Sequence, residues 1–112
     1  MHTIIREITS FEVPEGRDEA FLQAWNVIAD QMRHAWGAQT IQMHESLDPQ
    51  TKFRSVAVTE WESLLHYQAA RNQLSRAFEN LRRIMPFAAY PAAYRVVVSA
   101  VASPRAHEMF PR

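Results

Sequence analysis

The spacing of the apolar residues constrains the fold of this chain more than any other feature, because it changes period along the sequence. Apolar residues two positions apart line one face of a strand, whereas a spacing of three or four lines one face of a helix. The pattern predicts the order strand, helix, strand, strand, helix, strand. This order is typical of the α+β ferredoxin-like βαββαβ fold, a four-stranded antiparallel sheet with both helices on one face.

The first predicted strand and helix occupy the first third of the chain. The strand at 3–13 is rich in β-branched residues and ends at the turn around Pro14 and Gly16. The helix begins near Asp18, and Gly37 is its expected stop. Its apolar stripe, in which we expect the tryptophans to belong to the core, consists of Phe21, Ala24, Trp25, Ile28, Met32 and Trp36.

Two further strands, 39–47 and 53–61, are predicted to form an antiparallel hairpin around the turn signal at Asp48 and Pro49. In the second of them, Val56 and Val58 share one face of the sheet. The helices cannot cover that face in this order of elements. We therefore expect a second copy of the chain to cover it, which predicts a homodimer.

Residues 62–85 return to helical spacing and end before Pro86, with Asn72-Gln73 as a candidate break into two helices. The most β-prone run of the chain, 94–101, is the predicted last strand. We expect one domain over 1–102. The remainder, 103–112, contains two prolines and is predicted to be an arm or a disordered tail.

Composition and charge exclude several classes of protein. Twelve basic residues balance twelve acidic ones, which argues against a nucleic-acid partner. There is no cysteine, so disulfides and thiolate chemistry are excluded. No window approaches the roughly 20 apolar residues of a membrane span. The first residues lack the apolar core of a signal peptide. We therefore expect a cytoplasmic protein with no membrane partner.

No cofactor is predicted. The five histidines have no metal-binding spacing, and the two glycines cannot form a phosphate-binding loop. The histidines are His2, His34, His44, His66 and His107. A metal site is therefore not expected.

Three phrases of the sequence resemble the antibiotic biosynthesis monooxygenase domain superfamily. They are FEVPEGRDEAFLQAW, MHESLDPQTKFRSVAVTEWES and PAAYRVVV, and the resemblance extends over about 3–101. It implies a dimeric α/β barrel with a pocket in each subunit between the sheet and its own helices. Some members oxidise aromatic polyketides to quinones with molecular oxygen and without metal or flavin, others degrade heme, and related barrels perform cyclisations and isomerisations.

The resemblance transfers to individual residues only in part. Trp61 matches the tryptophan that lines the pocket of the quinone-forming members, and Tyr67 matches a pocket tyrosine. Their asparagine is replaced here by Ala57. Their pocket arginine falls near Arg82 or Arg83, although Leu81 occupies the position that the spacing indicates. The histidine of the heme-degrading branch is replaced by Arg71, so heme degradation is disfavoured.

A second set of candidate residues comes from the strand face that carries Trp61. Ser55, Ala57 and Thr59 are small, which suggests a substrate-binding hollow under the helices unless Trp25 and Phe78 fill it.

Three side chains are candidates for proton transfer. His66 and Tyr67 begin the second helix, but adjacent helix residues point about 100° apart, so both need not enter one pocket. His44 is a third candidate if its strand face lies under the helices, and a structural histidine if that face lies in the dimer interface.

Together these features predict a cofactor-independent oxygenase of a phenolic or polycyclic, polyketide-type metabolite. The protein would supply a dry pocket, orientation and a proton acceptor. Tyr67, His66 and His44 would handle protons, Trp61 would stack on the substrate, and Arg82 or Arg83 would contact an oxyanion. The first alternative is a cofactor-free cyclase or isomerase, which differs from the oxygenase in that its reaction does not require oxygen. The second is a non-catalytic dimeric binding protein, which a pocket without titratable groups would favour.

Overall fold

A computed structural model describes residues 3–103, and the elements follow the predicted order. They are β1 (Ile5–Glu12), α1 (Asp18–Met32), β2 (Ala38–Glu45), β3 (Ser55–Trp61), α2 (Leu64–Ile84) and β4 (Ala88–Tyr94). The strands form one antiparallel sheet in the order β2-β3-β1-β4. The predicted α+β, ferredoxin-like βαββαβ fold is confirmed.

The two faces of the sheet differ in burial, and the difference follows the alternation of residues in β3. Ser55, Ala57, Thr59 and Trp61 are buried on the helix side, whereas Val56 and Val58 are only partly buried on the open side. Under the helices, the rings of Phe11, Phe21 and Phe87 pack at centroid distances of 5.0–5.7 Å. Burying side chains of this size contributes about 1.5–3 kcal/mol each, so this aromatic cluster anchors α1 to the sheet.

The first helix is shorter than predicted, and this changes the place of Trp36. α1 ends at Met32. The chain then tightens into turns, in which the amides of His34 and Ala35 bond to carbonyls three residues earlier. Trp36 therefore leaves the apolar stripe, and it is 65% exposed rather than part of the core. Gly37 follows with a φ of 81°, a left-handed conformation that glycine adopts without strain.

The second helix is continuous through Asn72-Gln73, where a break was considered. Its buried residues on either side of this point, Ala70 and Leu74, are four apart and remain on one face. The side chain of Ser63 caps its first turn by accepting a hydrogen bond from the amide of His66.

The prediction of the last strand was wrong in position. β4 occupies Ala88–Tyr94, whereas no strand is assigned over 95–103 within the described residues. Pro91 lies inside β4, opposite Thr9 of β1. Proline is tolerated there because β4 is an edge strand, with β1 as its pairing partner in the sheet. Pairing with β1 therefore outweighed the higher β propensity of 94–101, where Val97, Val98 and Val101 are exposed.

Two further expectations concern the ends of the chain and membranes. Apart from Ser103, the tail at 103–112 lies outside the described residues, so the predicted boundary at 102 stays a prediction. Within 3–103, neither helix has the length and hydropathy that crossing a bilayer requires.

Candidate functional site

A cavity of about 200 Å³ lies between the helix side of the sheet and α2. β1 contributes Glu7 and Thr9, β3 ends in its wall at Trp61, and α2 contributes Tyr67, Arg71 and Arg82. The β1 residues reach it because they alternate with the side chains of the open face. The α2 residues reach it because positions three or four apart share one face of a helix. The fold thus brings an aromatic wall and several charged groups into one space.

Trp61 is the largest aromatic side chain of this cavity, with 2% of its surface exposed. Its indole Nε1 donates a hydrogen bond to Thr59 Oγ1 at 3.2 Å. This bond satisfies the ring's only polar atom inside the core and fixes the orientation of the ring. Trp61 therefore presents a rigid apolar surface on which a flat ligand could stack.

Tyr67 and Arg71, one turn apart on α2, form the hydrogen-bonding part of the cavity. Arg71 Nη1 donates to the Tyr67 hydroxyl at 3.0 Å. Burial raises the pKa of Tyr67, and the donation from Arg71 offsets part of that rise. The phenol is therefore protonated at neutral pH and can donate its own hydrogen.

Glu7 is a carboxylate of the same cavity that lies near this pair. Burial raises the pKa of its carboxyl above the usual 4.5, while a hydrogen bond from Tyr67 and the charge of Arg71 partly oppose the rise. Its ionised form is thus less favoured than that of an exposed glutamate. The cavity holds groups that can donate, accept and exchange protons.

The structure brings together some of the residues singled out in the sequence. Trp61, Tyr67 and Arg82 border the cavity, and Arg82 also lies over the ring of Phe87, 5.7 Å from its centroid. Arg83 is exposed and is not among the lining residues.

The small strand residues are not at the cavity. Ser55, Ala57 and Thr59 face the helices as expected, but they are almost completely buried and do not line the open space. The hollow lies beside them, over β1 and the end of β3. The small side chains of β3 are thus buried next to the hollow and do not line it, and their part in substrate binding stays a prediction.

His66 lies outside the cavity. It is buried at the start of α2, where its Nδ1 is 2.6 Å from Ser63 Oγ and its ring packs against Trp36 at a centroid distance of 3.8 Å. Its Nε2 is 3.7 Å from Glu62 Oε2. Tyr67 points into the cavity. His66, the residue before it on the helix, is rotated by about 100° and points elsewhere. The expected proton-transfer role of His66 in the cavity does not fit this placement.

His44 also lies outside the cavity. It projects from β2 on the open face of the sheet, beside Val56. Its Nδ1 is 3.2 Å from the Val56 carbonyl oxygen. The sequence left open whether the strand face of His44 lies under the helices or on the other side of the sheet. The structure places it on the other side, away from the cavity, where it cannot act as an acid or base on a bound ligand.

Glu7 and Arg71 were not identified from the sequence. The sequence nevertheless contains an indication for Glu7. It lies on the same face of the first strand as Ile5, Thr9 and Phe11, the face that packs under the helices. A carboxylate at an inward position of a strand needs a local reason. Arg71 lies four residues after Tyr67, the spacing at which helix side chains meet.

A wider cleft of about 580 Å³ between α1 and β2 is less suited to chemistry. It is open along the edge of the sheet, and its charged groups, Asp30 and Arg33, pair with each other at 2.9 Å. We therefore consider the smaller cavity under α2 to be the candidate active site. In the described part of the chain, no three His, Asp or Glu side chains are placed to ligate a metal.

Most of the chain matches a known protein family in sequence. A sequence model described as antibiotic biosynthesis monooxygenase matches residues 4–83, which includes β1, Trp61, Tyr67 and Arg71. No protein with curated annotation is significantly similar to the chain in sequence.

Several solved structures share the fold. A candidate monooxygenase from Shewanella loihica PV-4 is 25% identical with a TM-score of 0.77, over 88% of this chain and 99% of that one. A candidate antibiotic biosynthesis monooxygenase from Bordetella bronchiseptica is 22% identical with a TM-score of 0.66, over 88% and 100%. A heme-degrading protein from Mycobacterium tuberculosis is 21% identical with a TM-score of 0.62, over 91% and 100%. At these two lower identities, the likeness concerns the fold alone.

Proposed function

Because this chain belongs to the antibiotic biosynthesis monooxygenase family, we propose that it is a cofactor-independent oxygenase of a small phenolic metabolite. The observation that supports this most is the meeting of Trp61 and Tyr67 at one cavity beside Arg71. An apolar wall and a fixed donor pair are what an electron-rich ring with an ionisable oxygen requires.

The reaction needs three contributions from the protein. Trp61 stacks on the ring, and the Tyr67 hydroxyl donates to the substrate oxygen. The buried surroundings keep water out, so that charge interactions are strong. The ionised substrate passes an electron to O₂ and the two radicals combine as a hydroperoxide. The proton taken from the phenol returns to the peroxide oxygen. Loss of water at the ring carbon that carries the hydroperoxide and a hydrogen then forms a carbonyl, so a phenol and one O₂ give a quinone and one water.

The size of the cavity favours a substrate of one or two rings over the polycyclic alternative. Its volume of about 200 Å³ is below the roughly 300–1,000 Å³ typical of sites for drug-sized ligands. A fused tetracyclic skeleton would have to extend out of the cavity past Arg82. We therefore propose a small phenol, and not a fused polycyclic compound, as the substrate.

The second candidate function, a cofactor-free cyclase or isomerase, is favoured by the titratable groups of the cavity. Glu7 and Tyr67 could move a proton between two substrate atoms without oxygen. The same groups count against a purely passive binding protein. Dependence of the rate on oxygen separates the two enzymatic proposals.

Replacing Tyr67 by phenylalanine should lower turnover about a hundredfold, because a positioned donor to a developing oxyanion contributes at least that much. Stability should change by only about 1 kcal/mol, the usual worth of one hydrogen bond. Oxygen uptake would be measured with an electrode on a panel of one- and two-ring hydroquinones and phenols.

The matched control for this substitution is Tyr94→Phe, which removes a hydroxyl outside the cavity, from a half-exposed tyrosine at the end of β4, and keeps the ring on the open sheet face. It should leave uptake unchanged. Equal rates for the wild-type protein and Tyr67→Phe on every substrate that is oxidised would contradict the role of Tyr67. No oxygen uptake with any member of the panel would contradict the oxygenase proposal.

We further propose that two copies of the chain pair through the open sheet face. Ile8, Val56 and Val58 lie there side by side, and Tyr90 and Tyr94 extend the face along β4. Exposed apolar patches of this kind commonly mark interfaces. The wild-type protein should therefore have twice the mass of one chain by light scattering at micromolar concentration.

Val58→Asp should produce a monomer, because it places a charge at the centre of that face, opposite Ile8. Val27→Asp, at an exposed position of α1, introduces the same charge elsewhere and should leave the dimer intact. A wild-type protein that is already monomeric would contradict the proposal, and so would a dimeric, folded Val58→Asp variant.

A further inference from the structure

We propose that Glu7 is the catalytic proton acceptor of the cavity and that it takes its proton from the hydroxyl of a phenol or enol of one or two rings. The inference rests on the proposed function for the identity of the cavity as an active site. It goes further by assigning the base, which the histidines were expected to be.

Glu7 lines the same cavity as the hydrogen-bonded pair of Tyr67 and Arg71. Arg71 donates to the Tyr67 hydroxyl, so the phenol's single hydrogen is free to be donated, to the Glu7 carboxylate in the empty cavity or to a ligand oxygen once a ligand is bound. An ionised carboxylate can accept about four hydrogen bonds, so acceptor positions remain on the side that faces the cavity. A ligand hydroxyl placed on Trp61 therefore meets an acceptor at Glu7 and a donor at Tyr67.

The other neighbours of Glu7 do not neutralise it. Its partners in the sheet are Thr59 on β3 and Ala93 on β4, both uncharged. The remaining charged residues of the cavity, Arg71, Glu79 and Arg82, are all on α2. Arg71 donates to Tyr67, and its charge offsets only part of the effect of burial on the pKa of Glu7. Glu7 is thus the carboxylate that the sheet holds against the ligand space.

The charged form of Glu7 is less favourable in the folded chain than in the unfolded chain. Folding raises the pKa of its carboxyl, so the folded chain holds this proton more tightly than the unfolded chain does. The resulting stabilisation is complete below the unfolded pKa and is lost as pH rises through the folded pKa. A structural role would favour glutamine, which has the same shape without the charge. The cost is understandable if the carboxylate is needed for proton transfer.

The proposed step is balanced and needs no other reactant. The O–H bond of the ligand breaks, its proton forms an O–H bond with a Glu7 carboxylate oxygen, and the electron pair stays on the ligand oxygen. The product is a phenolate or enolate next to Tyr67 and a neutral Glu7. The total charge of the site does not change, which suits a poorly hydrated cavity.

The test uses 4-nitrophenol as a probe of the intact protein, at a pH above the ionisation of the free probe. Two negative charges side by side cannot both persist in a partly buried site. Binding to the wild-type protein should therefore take up about one proton per bound probe. Glu7→Gln should bind without that uptake. Calorimetry in buffers of different ionisation enthalpy measures the number of protons.

The second readout is activity with any substrate from the hydroquinone panel. Glu7→Gln should lower turnover about a hundredfold or more, the usual contribution of a general base. Its thermal midpoint should stay the same or rise, which distinguishes proton transfer from a structural role. Glu19→Gln removes an exposed carboxylate from α1 and should match the wild-type protein in all three measurements.

Three results would overturn the inference about Glu7. They are the same proton uptake in Glu7→Gln as in the wild type, unchanged turnover in that variant, and no binding of 4-nitrophenol to the wild-type protein. Failure of the oxygenase proposal appears differently, as proton uptake that depends on Glu7 without oxygen consumption by any substrate. The two hypotheses therefore fail on separate measurements.

Discussion

Truncation of Trp61 to alanine will lower the free energy of unfolding by about 3–5 kcal/mol, the cost of removing a large buried aromatic side chain. The indole is 2% exposed and ends β3 against the cavity. The loss combines the transfer of its apolar surface with an enlarged void, and it leaves Thr59 Oγ1 without its donor. Urea unfolding followed by circular dichroism measures the change.

Trp36→Ala is the matched control for this experiment, because it deletes the same side chain where 65% of it is exposed. It should cost well under half as much as Trp61→Ala. If the two variants lost similar amounts of unfolding free energy, Trp61 would not be the buried core residue that the structure shows. Turnover should fall with Trp61→Ala as well, since the stacking wall is gone.

Gly37→Ala is expected to destabilise the protein by about 2–5 kcal/mol. A non-glycine residue in a left-handed conformation costs about 1–2 kcal/mol, and Gly37 has a φ of 81°. The new Cβ would also lie at an overlapping distance from the ring of His66, which Ser63 and Trp36 hold in place. Overpacking of this kind adds about 1–3 kcal/mol.

Gly16→Ala separates the two contributions. Gly16 has a similar φ of 77°, but a Cβ there meets nothing within 4 Å. It should therefore show the backbone cost alone, and thermal unfolding of both variants gives the difference. If Gly37→Ala were no worse than Gly16→Ala, the close contact between Gly37 and His66 would be refuted.

Much of the fold was predictable because it depends on local patterns. The sequence predicted correctly which face of the sheet each residue of β3 lies on, since Ser55 and Val56 are on opposite faces as their alternation indicates. The position of β4 was not predictable in the same way. Its alanines and Pro91 have low intrinsic β propensity, and only pairing with β1 makes the segment a strand.

The candidate site was predictable to a lesser degree. Trp61 and Tyr67 could be identified by resemblance, and both lie at the cavity. The places of His66 and Trp36 depend on the chain after α1 turning back onto the start of α2. Contacts between residues so far apart in sequence leave no periodic signal. To identify Glu7 as a site residue, one would have to know which face of β1 lies beneath α2.

The valine-rich segment that follows β4 has a consequence for the behaviour of the protein in concentrated solution. Arg95 is the one charged residue among 95–101, which contain no proline or glycine and leave Val97, Val98 and Val101 exposed. Short, uncharged, β-branched stretches of this type add readily to the strand edges of other molecules. We therefore expect this exposed segment to be the point at which aggregation of the protein begins in concentrated solution.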